Sequence, residues 1–236
     1  MAIKFKVVKK KPTNILDMNY KDIKYNITFP EDNNSSVIKT LSNNKLWEKK
    51  IIRIFEKYLT KDATCIDCGA FIGSHSIIMA QLSKKVIAFE PVKFIYDCFD
   101  KTIKQNNITN IILHNKGLCK SKSTQIIKTN YDGDSTTHYQ NKKTIFKFSQ
   151  QADFIPLDEI IEEKIDLIKI DVEGNEFCVL EGATNIINTY RPIIVIEVWR
   201  NKTKREQLKK WCEEFNYDCL WLKADDFLLV PSEKNI

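Results

Sequence analysis

No stretch of the 236-residue chain approaches the roughly 20 consecutive apolar residues that a membrane-spanning helix needs. The first residues, MAIKFKVVKKKPTN, contain no apolar core and no small-residue cleavage site, so no secretory leader is expected there. Internal repeats and low-complexity linkers are absent. With 43% hydrophobic and 29% charged residues the composition is that of an ordinary globular protein, not of a disordered, collagen-like or coiled-coil chain. Seven cysteines, an odd number scattered between Cys65 and Cys219, make no disulfide framework, and a chain of this length buries enough surface to need none. Reduced thiols in a cytoplasmic protein, with no membrane insertion, are the expectation.

The 37 basic and 31 acidic side chains leave a net charge of +6, compatible with nucleic acid, an anionic surface or a phosphorylated substrate. The excess is thinly spread. Its densest run, Lys9, Lys10 and Lys11, reads as a solvated tail.

Residues 1–44 read as an N-terminal β extension, with short β segments at 3–8 and 23–29 around polar turns, and 45–236 as the main domain. Apolar residues at 47, 51, 52, 54, 55, 58 and 59 give an amphipathic helix. From residue 64 strands alternate with helices: strands at 64–67, 86–89, 111–113, 167–170 and 193–198, helices at 74–82, 91–106, 176–190 and 202–215. Asp158 reads as the cap of a short helix, and residues 115–153 as irregular, with β patterns at 125–128 and 144–148. Two closing strands, 219–222 and 227–230, form a hairpin. This alternation predicts an α/β fold: a doubly wound, Rossmann-like, mostly parallel seven-stranded sheet with an antiparallel C-terminal edge hairpin. Ligands of such sheets sit beyond the carboxyl ends of the strands, which directs attention to the residues that close each strand.

The first of these ends reads Cys65-Ile66-Asp67-Cys68-Gly69-Ala70-Phe71-Ile72-Gly73. Glycines four apart at a strand-to-helix turn let backbone pass close beneath a ligand. Glu90 closes the second strand 21 residues after Gly69, the distance at which an acid meets a nucleotide ribose. A dinucleotide wants G-x-G-x-x-G, with its pyrophosphate on a helix N-terminus. Here the spacing is G-x-x-x-G, and Asp67 would repel a pyrophosphate; it suits instead the ammonium and sulfonium of S-adenosylmethionine. Cys65 and Cys68 form a CxxC without the second pair that a zinc site requires, and read as packing residues.

A second block runs Leu167-Ile168-Lys169-Ile170-Asp171-Val172-Glu173-Gly174-Asn175-Glu176, preceded by Leu157-Asp158-Glu159-Ile160 and followed by Leu180-Glu181-Gly182-Ala183 and Pro192-Ile193-Ile194-Val195-Ile196-Glu197-Val198. Together with Ile66-Asp67-Cys68-Gly69-Ala70 and Phe89-Glu90-Pro91, it resembles the FkbM-type methyltransferases over residues of about 45 to 200. The resemblance implies methyl transfer from S-adenosylmethionine to a hydroxyl, most often on a sugar or polyketide-type acceptor. By the family pattern Asp67, Gly69 and Gly73, with Ala70 and Phe71 between them, line the methionine end. Glu90 holds the ribose hydroxyls, and Asn115, Gly117 and Leu118 border the adenine. His75 lies near the cofactor on the first turn of its helix, without a chemical role.

Transfer to an alcohol needs in-line alignment and removal of the hydroxyl proton. Asp171, at the strand end beside the cofactor strand, is the candidate general base or orienting group. Lys169 is two residues earlier on the same face, where it either lowers the Asp171 pKa or simply pairs with it. His138, in a polar segment that could cover the acceptor, is the second candidate base. His114 reads as a packing histidine. Asp171, Glu173 and Glu197 put three carboxylates at one sheet edge, which could hold Mg²⁺ or a similar divalent cation; a helix N-terminus equally favours acids at this place.

The expected acceptor is a sugar, nucleotide-sugar or glycan. A ribose or base methyltransferase acting on RNA is the alternative within enzymes. It would want further lysines around the aspartate and an aromatic stacking stripe, and neither is found. A non-catalytic nucleotide-binding module is the alternative outside them. Residues 1–44 and 115–153 are expected to form an acceptor lid or a homo-oligomer contact.

Overall fold

The computed structural model describes residues 13–129, 135–136, 148–199 and 201–234. Alternating apolar residues near the start pair as an antiparallel hairpin, β1 (Thr13–Tyr20) and β2 (Ile23–Pro30). A short helix α1 (Ser36–Leu41) follows, its first turn capped by the Ser35 hydroxyl, which accepts from the Ile38 N–H. Helix α2 (Lys49–Tyr58) buries Ile51, Ile52 and Phe55, the face its apolar spacing marks.

The alternating portion comprises β3 (Thr64–Cys68), α3 (Ser74–Leu82), β4 (Lys85–Phe89), α4 (Lys93–Gln105) and β5 (Ile111–His114). Next come β6 (Gly117–Leu118), β7 (Ser123–Thr129), β8 (Ser135–Thr136) and β9 (Phe148–Ile155). The chain continues through β10 (Leu167–Ile170), α5 (Glu176–Glu181), α6 (Thr184–Tyr190), β11 (Ile193–Glu197), α7 (Lys202–Phe215), β12 (Tyr217–Lys223) and β13 (Asp226–Pro231).

Seven strands form the main sheet in the order β12-β13-β11-β10-β3-β4-β5, parallel from β11 to β5, with β13 antiparallel between β11 and β12. This is the expected Rossmann-like sheet with its C-terminal hairpin at the edge. Because successive strand residues face opposite sides, Cys65 and Leu167 enter one core layer while Ile66 and Ile168 enter the other. The first layer holds Phe55, Met79 and Phe99; the second holds Leu180, Ile187 and Leu208. Met18, Tyr25, Ile27 and Phe29 of the N-terminal hairpin belong to the first layer, so the hairpin shares its core with the main sheet. Asn106 and Thr102 of α4 receive the backbone N–H groups of Asn26 and Thr28 and fix the hairpin against that helix.

Several local expectations are corrected. The stretch read as irregular contains a second, four-stranded sheet, β6-β9-β7-β8. The helix expected over 176–190 is two helices, because Gly182 packs so closely on Cys119 that a Cβ there would lie 2.3 Å from the Cys119 carbonyl oxygen. Asp158 caps α6 in space rather than its own short helix: its carboxylate accepts from the Asn185 and Ile186 N–H groups. Cys119 and Cys178, expected as reduced thiols, are joined in a disulfide between the end of β6 and α5. Their separation of 59 residues gave no spacing signal. Cys65 and Cys68 are free and buried. The segments 3–8 and 144–147, and the Lys9 to Lys11 run, lie outside the described residues. No described helix is long and apolar enough to cross a membrane.

Candidate active site

A cavity of about 260 Å³ opens at the carboxyl ends of β3, β4, β10 and β11. Its floor is the turn after β3. The Gly69 and Ala70 N–H groups both donate to the Phe89 carbonyl, which pulls the turn across the end of β4. Gly69 has φ +81°, and a Cβ there would lie 1.8 Å from the Asp171 carbonyl oxygen. Gly73 has φ +85°, and a Cβ there would strike the Phe99 ring at 2.1 Å. Both glycines are therefore required by internal packing. Gly69 lies on the cavity lining as well.

Glu90 is 5% exposed and stands on the cavity wall. Its carboxylate accepts from the Phe71 and Val92 N–H groups at 2.9 and 2.8 Å. Burial pushes this carboxyl up to about 7, while the two N–H donors pull it back. Further hydroxyl donors would stabilise its charged form, which is what a ribose diol offers.

Asp67 does not reach the cavity wall. Wholly buried, it accepts from Ser76 Oγ at 2.5 Å and from Lys169 Nζ at 3.1 Å. Parallel pairing of β3 with β10 sets Lys169 directly beside Asp67, a neighbour the linear spacing of Lys169 and Asp171 does not reveal. Lys169 is 3% exposed, and its ammonium also meets Asp171 Oδ2 at 3.5 Å and the Gly69 carbonyl at 3.4 Å. Burial opposes its charge, but Asp67 and Asp171 outweigh that and raise its pKa.

Asp171 lines the cavity with its side chain 32% exposed. Burial, then the Asp171 charge and a hydrogen bond to Asp171, push the Glu197 carboxyl up to about 10. Glu197 is thus a protonated acid that donates to Asp171. The loop beyond Asp171 is held by Glu176, which is wholly buried and accepts from the Gly174 N–H at 2.5 Å and from Lys204 Nζ at 3.3 Å. This folded-back carboxylate accounts for the second acid of the E-G-x-E block, and it places Glu173 at φ +55° on the cavity rim.

The expected triad of carboxylates is only partly assembled. Asp171 and Glu197 meet, but among the described residues no group of three His, Cys, Asp or Glu side chains is placed to hold a metal ion. Gly117 and Leu118 line the cavity opposite the glycine turn, whereas Asn115 turns away and donates to the Glu90 and Pro91 carbonyls. His114 stacks on Phe89 at 4.9 Å, a packing role. His138 lies outside the described residues.

The chain before β3 contributes a wall, of which sequence reasoning did not name Trp47 and Glu48. Ser35, Val37, Trp47 and Glu48 all line the cavity. Glu48 adopts a left-handed backbone, φ 45°, at the start of α2, and its Oε2 lies 3.6 Å from Nε2 of His75. Burial, then the charges of Asp226 and Asp171, push the Glu48 carboxyl up to about 7. Nothing in the spacing of Trp47 and Glu48 marks them out, since they precede an ordinary amphipathic helix.

The sequence model of the methyltransferase FkbM domain matches residues 67–227. The chain belongs to the FkbM methyltransferase family. Among curated relatives, the hexuronic acid methyltransferase AglP of Haloferax volcanii is 29% identical over 195 residues, covering 80% of this chain and 78% of AglP. An FkbM methyltransferase from Methylobacillus flagellatus superposes with a TM-score of 0.55 at 17% identity, covering 75% of this chain and 50% of that one. The FkbM chain described here therefore spans half the length of that structure. SMU.1697c of Streptococcus mutans, solved with SAH, superposes with a TM-score of 0.52 at 13% identity, covering 77% of this chain and 94% of that one. These superpositions establish the fold, and the family match establishes a methyltransferase that uses S-adenosylmethionine.

Proposed function

We propose that this FkbM domain methylates a hydroxyl group of a sugar or glycan, free or nucleotide-linked. The observation that carries this reading is Asp171, a half-buried carboxylate at the carboxyl end of β10 on the wall of the family's cofactor cavity. The name of the Haloferax volcanii relative supports a sugar acceptor.

When bound, S-adenosylmethionine supplies a methyl group on a cationic sulfur that leaves as a neutral thioether. Glu90, with one lone pair left on each oxygen after its two backbone bonds, is assigned to the ribose hydroxyls. The turn Gly69, Ala70 and Phe71 is assigned to the methionine end, and Gly117 and Leu118 to the adenine. Asp67 acts one layer down: it fixes the Lys169 ammonium, which in turn fixes Asp171. Asp171 accepts the hydrogen bond of the acceptor hydroxyl and takes its proton as transfer completes. The Lys169 ammonium and the Glu197 acid hold that carboxylate in one orientation. A divalent cation is not part of this reading. The wall before β3 is assigned to the acceptor.

The test is calorimetric titration with S-adenosylmethionine, with NAD as control, followed by a donor-dependent screen of sugars and nucleotide-sugars. Asp171→Asn should retain donor affinity and lose turnover by about 100-fold or more, the usual scale for a proton-handling group. Wild-type turnover in that variant would remove Asp171 from the mechanism.

A further inference from the structure

The end of the cavity assigned to the acceptor is furnished with groups that accept hydrogen bonds. His75 is 4% exposed, and its Nε2 has no hydrogen-bond partner. Its other nitrogen donates to the Trp47 backbone carbonyl, so Nε2 is a bare lone pair, facing Glu48. Burial pushes the imidazole down to about 4, and the Lys169 charge adds to this, so it stays neutral at working pH. Glu48, Asp171 and Glu197 complete this end, and Asp226 stands behind Glu197 as its partner in the strand register. Repulsion is already felt here: burial, then the Asp171 charge, push Asp226 up to about 6.

Among the described residues, the ammonium and indole donors at this end are engaged. The Lys169 ammonium is shared among Asp67, Asp171 and the Gly69 carbonyl. The Trp47 side chain donates to Glu48, and the Glu197 acid proton goes to Asp171. Among the described residues, the other cation of the wall, Lys116, lies beside Gly117 and Leu118, at the end assigned to the adenine.

Resting on the sugar reading above, we infer that this site takes an acceptor presenting hydroxyl or ammonium donors and no carboxylate: a neutral or amino sugar, not a uronic acid. An incoming hydroxyl or ammonium offers a donor to the acids crowded around Glu48, beside the bare Nε2 of His75. An incoming carboxylate offers no donor and adds like charge to a partly dehydrated site, which disfavours its binding. The reading departs from the hexuronic acid in the name of the Haloferax volcanii relative.

The test titrates the full chain, saturated with S-adenosylhomocysteine at neutral pH, with methyl glucoside, methyl glucosaminide and methyl glucuronide, and separately with 2-aminoethanol and glycolate. The glucoside and glucosaminide should bind at least about tenfold more tightly than the glucuronide, and 2-aminoethanol more tightly than glycolate by a similar factor. Equal or tighter binding of the glucuronide overturns the inference. So does the lack of a preference in both sets, including the absence of all binding. Silence of the sugar set together with a preference for 2-aminoethanol would overturn the sugar reading and uphold the charge preference.

Discussion

Replacing Lys169 by Met removes the ammonium from a site where its main partner has no access to water. Asp67 is wholly buried and Lys169 is 3% exposed, with Nζ and Oδ1 3.1 Å apart. Methionine keeps most of the volume, so little of the effect comes from a cavity. What remains, among the described residues, is a buried Asp67 side chain supported only by the Ser76 hydroxyl. Removing one partner of a buried ion pair costs about 3–5 kcal/mol, against a total stability of roughly 5–15 kcal/mol for a domain. The variant should therefore lose about a fifth or more of its stability. Adding Asp67→Asn removes the stranded charge and retains a hydrogen-bonding group for Ser76. The double variant should thus be more stable than the sum of the single losses by about 0.5–3 kcal/mol, the range for residues in direct contact. Urea unfolding followed by circular dichroism gives both numbers from the shift in midpoint at constant slope. A Lys169→Met loss under about 1 kcal/mol, or strict additivity in the double variant, would refute the buried pair as the support of Asp171.

Other consequences are as direct. Gly69→Ala should cost more than about 2 kcal/mol, since a left-handed backbone alone costs a non-glycine residue roughly 1–2 kcal/mol and the new Cβ must also displace the Asp171 carbonyl. Thermal unfolding reads this, and a wild-type midpoint would contradict it. Glu197 is held at about 10 in the folded state against an ordinary 4.5, so the folded protein keeps a proton the unfolded chain has released, and stability falls as pH rises through that interval. Glu48 and Glu90 act in the same direction up to about 7, and His75 acts oppositely only below 6.5, which leaves the decline from pH 7 to 9 chiefly to Glu197. Glu197→Gln should flatten the stability profile there; an unchanged slope would count against the shared proton. Thiol titration of the unreduced, unfolded chain should find five free cysteines, rising to seven after reduction. Cys119→Ser should cost about 2–5 kcal/mol, as removal of a native disulfide commonly does, and seven free thiols before reduction would exclude the bridge.

Much of the fold was legible because its signals are local. The strand at 193–198 is a continuous apolar run, as burial on both faces demands, and it appears as β11. Helix α2 follows from its apolar spacing. The order of strands and helices then implied the parallel sheet and placed the site at its carboxyl edge, where the cavity lies. The misreadings share one cause: a contact between residues far apart in the chain. The break between α5 and α6 depends on Cys119 packing against Gly182, and the cap of α6 comes from Asp158, 27 residues earlier. Of the β6-β9-β7-β8 sheet only the pattern at 125–128, within β7, was legible; β6 and β8 are two residues each, too short for a period to show.

For the site itself, sequence alone determined which residues close the strands, because strand ends follow from local hydrophobicity and the ligand edge of a parallel sheet follows from its topology. That is why Gly69, Glu90, Lys169, Asp171 and Glu197 could all be named in advance and all lie on one cavity. Tertiary structure alone decided what each one touches. Register across β3 and β10 set Asp67 beside Lys169 as its buried partner. Close approach of the Asp171 carbonyl demands a glycine at position 69, a contact the glycine spacing did not show. Folding of the N-terminal segment over the sheet brought Glu48 to His75, across 27 residues of chain. Such pairings depend on which faces meet in space, and a pattern of residue types along the chain does not encode the face that a distant segment will cover.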